Sequence, residues 1–176
     1  MRPPIQRKRI SEYKDRLLEI RRVTRVMAGG KRFSFRATVV VGNLRGKVGI
    51  GVAKGVDVMS AVEKARRQAE KHLKVIFLVE NRTIPHMVEA KYGAARVRIK
   101  PAAAGHGLIA GGSARAVLEL AGVRDISAKI LGRTKSKISN AMATLAALSS
   151  LKSEARNSKH ETDNNDQNQH QKSSEN

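Results

Sequence analysis

Alternating apolar and polar positions divide the chain into two runs of elements. The second half of SEYKDRLLEIRRVTRV (11–26) alternates, and predicts a strand with Leu18, Ile20, Thr24 and Val26 on one face and Arg21, Val23 and Arg25 on the other. Ala28-Gly29-Gly30-Lys31-Arg32 then breaks the pattern with two residues that tolerate positive φ, so a loop with exposed amides and two cations is expected. FSFRATVVV follows as a half-buried strand, with Phe33, Phe35, Ala37, Val39 and Val41 on one face. After Gly42-Asn43-Leu44-Arg45-Gly46 turns the chain, KVGIGVAK points Val48, Ile50 and Val52 inward. Lys47, Gly49, Gly51 and Ala53 leave an opposite face with little side chain, where something can approach the backbone closely.

Helical periodicity takes over next. Asp57 is placed to cap a helix reaching about Lys74, because Val58, Ala61, Val62, Ala65, Ala69 and Leu73 recur at three- and four-residue steps while Lys64, Arg66, Arg67 and Lys71 occupy the other side. Three antiparallel strands and a packed helix make a small α+β unit. Val75 to Leu78 is apolar, and Glu80-Asn81-Arg82-Thr83 before Pro85 has turn chemistry, which predicts a linker at 79–84. Strands are then expected at His86 to Lys91 and Ala94 to Lys100, split by Tyr92-Gly93, with Ala95, Val97 and Ile99 inward and a stripe of Arg96, Arg98 and Lys100 outward. AAAGHGLIAGG reads as a small-residue loop, Ser113 as the cap of a helix carrying Ala114, Val117, Leu118 and Ala121, and Gly122 as its end. Ile126, Ala128 and Ile130 mark a strand, and Ile138, Ala141, Met142, Leu145 and Leu148 a last helix. The expected organisation is a flexible basic arm at 1–10, a first α+β unit at 11–78, the linker at 79–84, a second two-layer unit at 85–156 and a disordered polar tail at 157–176.

Charge names a class of partner. The chain holds 35 Lys and Arg against 15 Asp and Glu, a formal charge of +20. Lys159 and Lys172 stand against Glu161, Asp163, Asp166 and Glu175 in the tail, which is net −2, so residues 1–156 carry +22. A polyanion is the natural counterpart of such a surface, and nucleic acid is the commonest one. Only 3% of residues are aromatic, which leaves phosphate and shape recognition rather than base stacking as the main device. The candidate contacts are Gly29, Gly30, Lys31 and Arg32, with Arg21, Arg22, Arg25, Lys47, Lys54, Arg66 and Arg67 extending the patch. With no Cys, disulfides and thiolate chemistry are excluded. No apolar span suggests a membrane or a leader, so the cytoplasm is the default expectation.

Catalytic machinery finds no candidate. Gly49-Ile50-Gly51 to Gly55 and Gly105-His106-Gly107 to Gly111 are each one residue too long for the dinucleotide fingerprint, and Gly46-Lys47 is followed by Val48 where a magnesium-holding hydroxyl is needed. The histidines lack a ligand-pairing spacing, and Glu63, Glu70, Glu89, Glu119 and Asp125 sit among bases or at turns, where capping or surface pairing is their expected work. No cofactor, metal or small-molecule substrate is expected. Two rivals stay open at this point: a free-standing RNA-binding or chaperone protein, and an enzyme supported only by fold kinship.

VTRVMAGGKRFSFRATVVVGNLRGKVGIGVAKG, AVEKARRQAEKHL and PAAAGHGLIAGGSARAVLELAGVRDISAKILG, in that order, strongly resemble the bacterial ribosomal protein S-five family, from about Glu12 to Leu151. The resemblance implies a first domain related to double-stranded-RNA-binding folds without their leading helix. It implies a second domain of three strands, a helix, a strand and a helix with a left-handed crossover. It also implies that the segment Ala28 to Arg32 reaches small-subunit ribosomal RNA near the spectinomycin site, and that Gly105, His106, Gly107, Gly111, Gly112 and Arg115 face protein S-four where decoding accuracy is influenced. Protein S-eight would touch the second domain, and messenger RNA would enter nearby. Met27 departs from the family's frequent cation, and the tail matches nothing in the resemblance.

Overall fold

The computed structural model describes residues 12–151; the arm expected at 1–10 and the tail expected at 157–176 lie outside them. The first sheet is built from a long hairpin, β1 (Lys14–Met27) and β2 (Gly30–Gly42), then β3 (Lys47–Gly55), helix α1 (Val58–Lys71) and a two-residue strand β4 (Lys74–Val75). Its order is β1-β2-β3-β4, antiparallel throughout, so β4 extends the expected three strands to four. The second unit runs β5 (Val88–Tyr92), β6 (Ala95–Pro101), β7 (Leu108–Ile109), helix α2 (Gly112–Ala121), β8 (Ile126–Ile130) and a last helix α3 at 137–151. Its sheet order is β5-β6-β8-β7, with β7 parallel to β8. Strand β7 is the third strand that the resemblance implied, inside a stretch whose residue pattern alone reads as loop. No helix among the described residues is long and apolar enough to cross a membrane.

The inner half of β2, Ala37 to Gly42, is buried on both sides. Ala37, Val39 and Val41 pack against Ala61, Ala65 and Ala69 of α1. Val40, with Val48 and Ile50 of β3, enters a larger core with Val117, Leu118 and Leu120 of α2, Val97 and Ile99 of β6, and Leu145 and Leu148 of α3. The layers therefore follow the order α1, first sheet, α2 with α3, second sheet.

The close approach expected at the glycine face of β3 is made by the chain's own helix α1. A Cβ on Gly51 would stand 2.0 Å from the Ala65 carbonyl oxygen, and one on Gly49 2.3 Å from that of Ala69. The alanines recur every four residues on α1, so glycine and alanine meet backbone to backbone. Val48 and Ile50 point the other way, into the seam with the second unit.

Local rules explain most boundaries. Asp57 caps α1 by accepting from the Met59 amide at 3.3 Å, and the helix stops at Lys71 rather than Lys74 because Lys74 and Val75 pair with Val48 and Lys47. Helix α2 starts from Gly111, not Ser113, whose side chain is buried within the first turn. At the other end Gly122 takes φ 88°, and a Cβ there would lie 2.1 Å from the Leu44 carbonyl oxygen. The last carbonyls of α2 are satisfied by the first unit: the Leu44 amide donates to Leu120 O at 3.0 Å and the Gly46 amide to Ala121 O at 2.8 Å. The Asn43 carboxamide oxygen shapes that turn by accepting from the Arg45 and Lys47 amides, both at 2.9 Å.

The face expected to be apolar on β1 is largely open. Ile20 and Val26 are 39% and 74% exposed, because α1 covers only the root of the hairpin, and a bulge between Leu17 and Glu19 puts Leu17 on their face while Leu18 packs against the larger core.

Gly51→Ala forces its methyl group into the α1 backbone, and overpacking of that kind costs about 1–3 kcal/mol. Urea unfolding of the variant shows a lower midpoint with an unchanged slope. A midpoint equal to the parent's contradicts the close helix-to-strand contact.

Candidate nucleic-acid interface

Cross-strand partners in an antiparallel ladder share a face. In the outer half of the hairpin Arg21 is paired with Arg36 and Arg25 with Arg32, and Arg36 is paired in turn with Lys54 of β3. Nearer the root the same face of β2 and β3 carries Thr38, Val40, Val48 and Ile50, and there it is covered by the second unit. Beyond that cover the face becomes cationic. Arg25, Arg32 and Lys54 are exposed and Arg36 is half-buried. Arg21 has Glu19 at 2.8 Å. Among the described residues no carboxylate lies within ion-pair distance of Arg25, Arg32, Arg36 or Lys54.

The other expected cations separate from this cluster. The anticipated loop shrinks to Ala28-Gly29, and Lys31 and Arg32 are strand residues on opposite faces, opposite Val26 and Arg25. Lys31 shares its face with Arg22, whose guanidinium carbon sits 3.7 Å from the centre of the Phe33 ring, a cation–π contact on an exposed aromatic. A Cβ at Gly29 or Gly30 would meet nothing within 4 Å, so the hairpin tip is clear of the other described residues. Lys47 lies far from the tip, opposite Val75 at the β3–β4 edge. Arg66 is held by Glu70 at 3.3 Å and Asp15 at 3.7 Å, and Arg67 by Glu63 at 3.8 Å. Arg36 was not among the residues singled out, although the alternation of FSFRATVVV places it on the polar side.

The segment expected to meet another protein is organised by Asp125. One carboxylate oxygen accepts from the Gly105 and Gly107 amides, both at 3.0 Å, and the other from Arg82 Nε at 2.8 Å. The Thr83 hydroxyl donates to the Asp125 carbonyl at 2.7 Å, and the Arg124 and Asp125 amides donate to Arg82 O at 2.8 and 3.2 Å. Asp125 is 3% exposed, so the capping and pairing expected of it take place in the interior rather than at the surface. Gly105 and His106 are left outward on this clasp, Gly107 is half-buried, and Gly111, Gly112 and Arg115 are exposed at the start of α2.

The Gly107 amide, against the opposing effect of burial and with help from Arg82, holds the Asp125 carboxyl below its ordinary value. The folded state therefore binds that proton less readily than the unfolded chain. Its stabilising contribution is complete above the usual carboxylate range and is lost as pH falls through the lowered folded value. At neutral pH, Asp125→Asn is expected to speed hydrogen exchange at Gly105 and Gly107 by roughly tenfold or more, since an amide nitrogen replaces one accepting oxygen. Unchanged exchange at both amides, read by NMR, contradicts the clasp.

Residues 13–76 match the family description "Ribosomal protein S5, N-terminal domain", and residues 90–161 match "Ribosomal protein S5, C-terminal domain". The small ribosomal subunit protein uS5 of Synechococcus elongatus is 54% identical over 142 residues, which cover 81% of this chain and 78% of that protein. That of Thermosynechococcus vestitus is 51% identical over 142 residues, covering 81% of each chain. The uS5c protein of Cyanophora paradoxa is 50% identical over 141 residues, covering 80% of this chain and 83% of the relative. Two domain matches in order and relatives at half identity across most of both chains agree with the two sheets and their connections: the chain belongs to the ribosomal protein S5 family, structural constituents of the small ribosomal subunit and not enzymes.

Proposed function

We propose that the chain serves the small subunit by gripping its ribosomal RNA with the outer half of the β1–β2 hairpin. Arg25, Arg32, Arg36 and Lys54, with Arg21 beside them, form the contact on one face, and Lys31 and Arg22 extend it to the other. The observation that carries this reading is the pairing of like charges directly across strands, Arg25 with Arg32 and Arg36 with Lys54, with no carboxylate among the described residues to neutralise them. Each such pair opposes folding by a few tenths of a kcal/mol up to about 1 kcal/mol. RNA phosphates placed between them reverse the sign, and displaced counterions add affinity without regard to sequence. Shape supplies the selectivity, because a projecting two-stranded arm with small residues at its tip fits only a groove or junction of matching width.

The second unit takes the protein side of the assembly. The Gly105 to Arg115 segment offers exposed backbone on a support that Asp125 holds in place, which suits a partner that docks by close approach. Protein S-four is the proposed occupant, protein S-eight a neighbour of the same unit, and messenger RNA passes nearby, so that the chain supports subunit assembly and the accuracy of decoding.

Replacing both Arg25 and Arg32 with alanine removes two phosphate contacts. The slope of log affinity against log salt, measured with transcribed small-subunit ribosomal RNA, is expected to fall by about 1.4–1.8, at about 0.7–0.9 per phosphate. Thermal unfolding should be unchanged or slightly later, since repulsion is relieved. An unchanged slope removes the hairpin from the RNA contact.

A further inference from the structure

The outer face of the second sheet is also basic, and the reading above gives it no task. Glu89 and Lys91 of β5, Arg96, Arg98 and Lys100 of β6, and Ser127 and Lys129 of β8 turn away from the core, while Ala95, Val97, Ile99, Ile126 and Ala128 are sealed into it. The ladder sets Lys91 beside Arg96, Glu89 beside Arg98, Arg98 beside Lys129 and Lys100 beside Ser127. Arg98, Lys100, Ser127, Lys129 and Leu131 line a shallow recess in this face. Among the described residues it is one of the two outer layers, separated from the hairpin's sheet by the helices between them.

One acid serves five cations here, and it does not quench them. The two Glu89 oxygens accept from Arg96 Nε and, at 3.0 Å, from Arg98 Nε. A guanidinium bound through Nε keeps its Nη donors for an outside acceptor, so Glu89 orients both side chains rather than consuming them. Directly opposed like charges at Lys91–Arg96 and Arg98–Lys129 disfavour the isolated fold in the same way as those on the hairpin. Along β6 the cations recur every second residue, a step of about 7 Å that is comparable with the distance between successive phosphates.

We propose that this sheet face is a second RNA-phosphate site, so that the chain bridges two segments of ribosomal RNA across its layers. An acidic protein fits the face less well. Protein interfaces centre on apolar and aromatic anchors, whereas only Leu131, 41% exposed, breaks the polar surface at this recess. Polar, strongly positive surfaces are the character of nucleic-acid contacts.

Lysine acetylation footprinting tests the proposal on the unaltered chain, free, bound to transcribed small-subunit ribosomal RNA, and in assembled subunits. Lys100 and Lys129 are expected to be protected by the RNA alone, by threefold or more, roughly the effect of a phosphate contact held most of the time. Protection that appears only when other proteins are present makes the face a protein interface and overturns the proposal, as does no protection in either state. As a second measurement, Lys100→Gln with Lys129→Gln should lower the salt slope by about 1.4–1.8 on top of any hairpin change, and an unaltered slope also overturns it. Lys31, read in the same digest, reports on the hairpin separately, so failure of one site is distinguishable from failure of the other.

Discussion

Everything in this molecule is phased by the inner half of β2, which has no free side. Along β2, Ala37, Val39 and Val41 belong to α1, and Thr38 and Val40 belong to the seam with the second unit. Each fully buried valine is worth on the order of 1.5–3 kcal/mol, and a slip of one residue would exchange the two sets. The neighbouring β3 admits no such exchange. Its glycines leave room for helix backbone on one side only, and its Val48 and Ile50 fill the core on the other.

A root held this firmly supports an arm that need not be covered. Where the second unit stops shielding the first sheet, the same alternation that delivered Thr38 and Val40 to the seam delivers Arg36, and with it Arg32, Arg25 and Arg21, to solvent. Buried valine gives way to facing arginine along one continuous face. Folding alone does not favour such a pattern, and departures from local consistency of this kind concentrate at functional sites. The strain of opposed charges is tolerated because the buried half of the hairpin supplies the stability that the exposed half lacks.

Much of this was legible in residue order. Alternation located β2 and β3, the cap at Asp57 and the stop at Gly122 followed from local chemistry, and the opposed faces of β6 were visible in ARVRIK. The failures share one cause, which is that periodicity separates two faces without saying what covers each. Val48 and Ile50 looked like the interior of a small domain and proved to be the joint between two; Gly49 and Gly51 announced a close approach without saying that α1 makes it. The bulge at Leu17/Glu19 moved the face of β1 by a step no pattern shows. The surface pairing expected of Glu63 and Glu70 is there, with Arg67 and Arg66 one helical turn away, but Asp15 beside Arg66 comes from another element and the bond between Arg82 and Asp125 spans 43 positions. Arg36 is the exception, since the strand pattern already pointed it outward.

The two units meet through groups that neither could satisfy alone. The carbonyls ending α2 take their protons from the β2–β3 turn, Arg16 of β1 pairs with Glu119 of α2, and the connecting segment is tied back through Arg82 and Thr83 to Asp125. Pulling the units apart would strand helix-end carbonyls and expose Val40, Val48 and Ile50 together, a cost with both polar and apolar parts. The connection is therefore a weld and not a hinge. Rigidity of that kind would suit the contacts proposed above, because binding energy gained at the hairpin would then not be spent on ordering the loop at Gly105 or the outer sheet face.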